Sequence, residues 1–229
     1  MTKLYTAVGR FEKRSEGAGK TYPIILVNRE EHQVDIEEMM IWTVLNWRIL
    51  SLPQIAEKYE KKAAEAGYAV GRTCEQCVAR LLQRGLIVSG AGDAGVDALY
   101  DLISGLYVVP TASNFFIKVV SFLKLTLLDG LPLRVTGRVF HREPMTEDED
   151  RIIRLAGQTL LSTAEIIKCV EKGAYDLSTS DKVLEALYND DTTTCDNLPS
   201  LAKCFDCWQP VTAAVANLYL HKQIIFERI

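Results

Sequence analysis

The sequence predicts an α+β, mostly helical chain in which two like modules are joined by a helical linker. Three observations carry this. The 229 residues contain an internal similarity: "IEEMMIWTVLNWRILSLPQIAEKYEKK", from Ile36, matches "EDEDRIIRLAGQTLLSTAEIIKCVEKG", from Glu147, at a constant offset of 111. In both copies a further amphipathic helix then runs into a three-residue apolar segment, Leu86-Ile87-Val88 or Ile224-Ile225-Phe226, at an offset of 137. Finally, 48% apolar and 24% charged residues is ordinary globular composition, and the length accommodates two small cores. The expected boundaries are 1–95 for the N-terminal hairpin and first module, 96–132 for the linker, and 133–229 for the second module.

Taken in order, "SEGAGK" reads as the tip of a hairpin and "TYPIILV", residues 21–27, as the strand before the first helix. The offset of 111 pairs Ile41 with Ile152, Leu50 with Leu161, Ile55 with Ile166 and Glu60 with Glu171. Each copy therefore reads as a helix, a break at Leu-Ser, and a second helix. Pro53 stands near the start of that second helix in one copy, and Ser162 or Thr163 caps it in the other. The third helix places Cys74, Cys77, Val78, Leu81 and Leu82 on one face, matched by Val211, Ala214, Val215, Leu218 and Tyr219. Gly85 is the expected left-handed residue after it. "VDALYDLISGLYVVP" and the apolar residues 114–128 form the expected linker, with "LPLRVTGRVF", residues 131–140, as the second copy's opening strand. The growth of the offset by 26 marks an insertion containing "SDKVLEALYND" and "DTTTCDN".

Helix, turn, helix, helix and strand in this order resembles the winged helix-turn-helix superfamily over residues 22–95, and more loosely over 133–229. "RLLQRGLIVSGAG" is the most typical piece, with a glycine-rich wing tip after the first wing strand. In members that bind DNA the third helix enters the major groove. The resemblance thus implies double-stranded DNA as a partner, read by Arg72, Thr73, Gln76, Arg80, Gln83 and Arg84. Lys58, Lys61 and Lys62 on the preceding helix are expected to reach phosphates, although Glu57, Glu60, Glu65 and Glu75 lie among them. Gly90-x-Gly92-x-x-Gly95 also matches a dinucleotide fingerprint. That reading requires an acidic residue at the end of a following strand, and after "LYVVP" the next carboxylate is Asp129. The glycines are instead expected to make a turn in which positive φ is useful.

Charge divides the chain. Residues 1–33 carry 6 basic and 4 acidic side chains, residues 34–90 carry 7 and 7, and residues 146–229 carry 8 and 14. Phosphate contact is thus expected from the first module alone, with the acidic second module serving assembly, sensing or a protein partner. The leading expectation is a dimeric DNA-binding transcriptional regulator; the alternative is a tandem adaptor that binds protein and not DNA. Without a secretory signal or a membrane-length apolar run, a cytoplasmic location follows, with free thiols. Cys74-x-x-Cys77 and Cys204-x-x-Cys207 both fall in expected helices and read as buried small hydrophobes, with Cys204 and Cys207 the weak candidates for metal or redox chemistry. None of His32, His141 and His221 sits in a nucleophile arrangement, so neither an enzyme nor a cofactor is expected.

Overall fold

A computed structural model describes residues 1–16, 20–111, 145–190 and 192–228. The apolar segment at 114–128 and the strand expected at 131–140 lie outside these residues. Over the described residues the fold is α+β, with about 49% helix and 21% strand.

The first strand precedes everything the sequence marked as structured. β1 (Thr2–Ala7) is followed by a separate antiparallel sheet of β2 (Arg10–Glu16), β3 (Lys20–Val27) and β4 (Glu30–Gln33). The β3–β4 connection is a two-residue turn, with Asn28 at φ 48 and Arg29 at φ 65. Both residues adopt the left-handed conformation that a primed hairpin turn demands. Next come α1 (Ile36–Leu45), α2 (Leu52–Glu65), α3 (Cys74–Gln83), β5 (Ile87–Gly92), α4 (Gly95–Ile103) and β6 (Tyr107–Pro110). The remainder comprises α5 (Glu147–Gln158), β7 (Leu161–Ser162), α6 (Thr163–Lys172), α7 (Ser180–Tyr188), α8 (Leu198–Ala202), α9 (Trp208–Leu220) and β8 (Ile224–Glu227).

Two small sheets share one plan. β1 lies antiparallel to β5, and on its other side Tyr5 bridges Leu50. β6 likewise lies between β8 and β7, with Val108 opposite both Phe226 and Leu161. The helix starts at 36 and 147, and at 52 and 163, differ by 111, while β5 and β8 start 137 apart. These are the offsets of the sequence similarity.

This arrangement corrects two readings. "TYPIILV" does form a strand, but it is the middle of its own sheet, and Ile24 and Ile25 are both fully buried. The partner of β5 is β1, whose short alternating "TKLYTA" gives a weaker signal. "LYVVP", assigned to the linker, is the central strand of the second sheet.

The glycine-rich stretch needs a further correction. None of Gly90, Gly92 and Gly95 has a positive φ, and β5 runs directly into α4 rather than into a second wing strand. Helix α4 folds back onto β5 and β1. A Cβ on Gly90 would stand 2.1 Å from the Leu102 backbone nitrogen, and one on Gly92 would stand 2.4 Å from that of Ala98. The glycines of β5 therefore serve close helix-on-strand contact. Their φ values are not those of the expected turn.

One hydrophobic cluster runs through both halves. At the junction the Tyr219 hydroxyl accepts hydrogen bonds from Thr6 Oγ1 and the Trp47 N–H, each at 3.0 Å. Trp47 Nε1 donates to the Ile224 carbonyl at 3.3 Å, and the Gly9 N–H to that of Phe226 at 2.8 Å. Trp47 holds φ 54 there, a left-handed conformation that costs a bulky residue roughly 1–2 kcal/mol. Among the described residues, no helix is long and apolar enough to cross a membrane.

Candidate functional site

The third helix of the first half is where the sequence concentrates candidate recognition residues, and its surroundings are set by the start of α1. Asp35 caps that helix: its Oδ1 accepts the N–H groups of Glu37 and Glu38 at 3.1 and 2.9 Å, while Glu38 reaches back to the Asp35 N–H. The box fixes three carboxylates on one helix end, and α3 lies across it. Arg72 binds Asp35 at 2.6 Å and Glu37 at 2.7 Å. Arg80 Nε and Arg84 Nη1 share Glu38, at 3.0 and 2.6 Å.

Three guanidiniums thus meet three carboxylates, and the Glu37 and Glu38 side chains are 4% and 1% exposed. Removing one partner of such a buried ion pair would leave the other without its counter-charge. Burial opposes ionisation of Asp35, yet hydrogen bonding within the cap and the Arg72 guanidinium hold its carboxyl below the usual range. The arginines are therefore held to α1 by the protein itself. Thr73 and Gln76 are engaged too, in the cap of α3: Gln76 N–H donates to Thr73 Oγ1 at 3.3 Å and Thr73 N–H to Gln76 Oε1 at 3.1 Å. Lys58 and Lys61 remain exposed, and Arg80 keeps a side-chain exposure of 53%. Gln83 is exposed as well. Lys62 is half-buried, and desolvation together with nearby Arg48 lowers its pKa.

Sequence reasoning overlooked Asp35, Glu37 and Glu38. The D-x-x-E spacing before an apolar run was a visible capping signal, but nothing local announces the arginine partners.

Beside the clamp, a groove of about 470 Å³ opens between α2 and α3, with Ala56, Tyr59, Val70, Arg72, Cys74 and Glu75 among its walls. Val70 is 46% exposed. Arg72 Nη1 is buried without an acceptor among the described residues. Burial pushes the Cys74 thiol up to about 12 and the Tyr59 phenol up as well, so both line the groove as neutral groups.

The second half treats the matching face differently. At the offsets above, Ala56 corresponds to Ile167 and Glu75 to Thr212, and both counterparts are fully buried. The chain between α6 and α9 contributes α7 and α8, which rest on α6 and bury Leu187, Leu198 and Ala202. Cys207 Sγ reaches the Ile167 carbonyl at 3.5 Å. Lys168, also buried, binds Asp190 and Thr193, each at 2.7 Å, and so ties the insertion down.

The Cys204–Cys207 pair lies in the turn between α8 and α9 rather than within a helix, and Pro210 stands in the first turn of α9. Cys204 is exposed, and burial together with Glu171 pushes the Cys207 thiol up to about 12. Among the described residues no three His, Cys, Asp or Glu side chains are grouped to hold a metal ion. No family model matches the chain, and neither a curated protein nor a solved structure matches it.

Proposed function

We propose that the chain is a tandem winged-helix-like adaptor that takes an amphipathic helix of a protein partner in the groove between α2 and α3. The observation that carries this is the contrast between its halves: the first leaves open a face that the second fills with its own helices. The partner helix stands in for α8 and presents small aliphatic side chains to Ala56, Tyr59 and Val70. Glu60 and Glu75 on the rim favour basic flanks on that helix. Its carbonyls or a carboxylate supply the acceptor that Arg72 Nη1 lacks.

Co-purification of the tagged chain from its native cells, with Val70→Glu as comparison, tests the reading. A partner retained by wild type and by Lys58→Glu/Lys61→Glu, but lost with Val70→Glu, supports it; equal recovery with all three refutes it.

A DNA-binding regulator is the second reading, supported by exposed Lys58 and Lys61 and by the part of Arg80 left open. It requires phosphate contact, hence affinity for random duplex DNA that falls steeply with salt. Fluorescence anisotropy at two salt concentrations separates the readings. Salt-sensitive binding that disappears in Lys58→Glu/Lys61→Glu favours the regulator.

A further inference from the structure

Strand β2 carries a surface used by neither half. It is the outer strand of its sheet, paired over seven residues with β3. Among the described residues no backbone hydrogen bond joins its other edge. Alternation puts Arg10, Glu12 and Arg14 on one face and Phe11, Lys13 and Ser15 on the other. Their exposure is substantial: 57%, 33% and 49% for the three charged side chains of the first face, and 41% for Phe11.

We propose that a second copy of this chain adds its own β2 antiparallel to this edge, about a two-fold axis at Lys13. The two three-stranded sheets then become one continuous sheet. In that register Glu12 faces the partner subunit's Arg14, and Arg14 faces the partner subunit's Glu12. Arg10 falls opposite position 16, a glutamate in the sequence. Paired positions share parity, as an antiparallel ladder requires. A slip of two residues either way sets Glu12 or Arg14 against itself, so charge selects a single register.

The ion pairs now made there, Arg10 with Glu12 and Arg14 with Glu31, are exposed and easily exchanged. Lys13 works against pairing, since it meets its own copy on the axis. A single pair of short strands is also a small interface, so the dimer is weak and concentration-dependent. The groove between α2 and α3 takes no part, and this inference stands apart from the adaptor reading.

Sedimentation velocity on the full chain, over a concentration series at low and high salt, is the test. Wild type should dimerise with rising concentration, and less so in high salt. Arg14→Glu and Glu12→Arg should each weaken self-association by roughly tenfold or more. Mixed in equal amounts, those two variants should form a heterodimer, because the arginine introduced at position 12 of one copy then faces the glutamate introduced at position 14 of the other. Lys13→Thr should tighten the wild-type dimer several-fold. A chain that stays monomeric throughout overturns the proposal, as does a dimer indifferent to Arg14→Glu or a mixture that does not associate. Because these side chains are exposed, circular dichroism should show every variant folded like wild type; a variant that is not is replaced by the milder Arg14→Gln, for which partial weakening is expected.

Discussion

In the first half residues 66–73 connect α2 to α3, and Ala56 is left half-buried at an open groove. In the second, residues 173–207 make the matching connection, and Ile167 and Thr212 are sealed beneath it. Charge differs in the same way. Glu38 holds two arginines, whereas Glu149, at the same place on α5, caps its helix together with Thr146. An insertion thus turns one copy's surface into core, while in the other copy charge pairing ties the arginines of α3 to α1. Likeness of scaffold need not mean likeness of use.

The largest effect expected from breaking this comparison is at β5. Gly90→Ala drives a methyl group into the backbone of α4 and should cost about 3 kcal/mol, at the upper end for overpacked sites. Glu227, its counterpart on β8, already carries a side chain, and Glu227→Ala should cost no more than ~1 kcal/mol, for the hydrogen bond it accepts from the Asn28 N–H at 3.1 Å. Thermal unfolding of the two variants measures this; equal midpoints would remove the close-contact account of the glycines.

The carboxylates come next. Glu38→Ala strands two arginines and undoes a cap, for a loss of about 2–4 kcal/mol, whereas Glu149→Ala loses only a cap-sized ~1 kcal/mol. Urea titration should rank them in that order. A larger loss at Glu149 would mean that the clamp adds little.

Smaller still is Tyr219→Phe, which removes the acceptor for the Trp47 N–H and should cost roughly 1–2 kcal/mol. Because the two halves share this contact and one core, near-UV dichroism and tryptophan fluorescence should still report a single transition. Two separated transitions in wild type would contradict the shared core.

The finest comparison is pH. Lys168 holds Asp190 well below its ordinary value of 3.8, so the ionised carboxylate stabilises the fold above that value. The contribution fades as pH falls below about 4, where the unfolded chain takes up the proton first. Asp190→Asn should flatten that part of the stability–pH curve. An unchanged acid limb would mean that Lys168 does not tie the insertion down.

Several features were readable from residues alone. Caps at Asp35, Thr73, Thr146 and Ser162 involve side chains and N–H groups no more than three positions apart. The apolar faces of α3 and α9 follow from helical periodicity, and Gly85 takes its expected left-handed φ of 68. The matching element starts follow from the repeated spacing. Local order of this kind is written locally.

Only the tertiary structure decided the rest. Arg80 and Arg84 find Glu38 from 42 and 46 positions away, β1 rather than β3 pairs with β5, and α4 settles on Gly90 and Gly92. The physical reason is common to all three. An arginine, an apolar strand or a glycine has several satisfactory partners by its own chemistry, and chain topology determines which one is brought within reach.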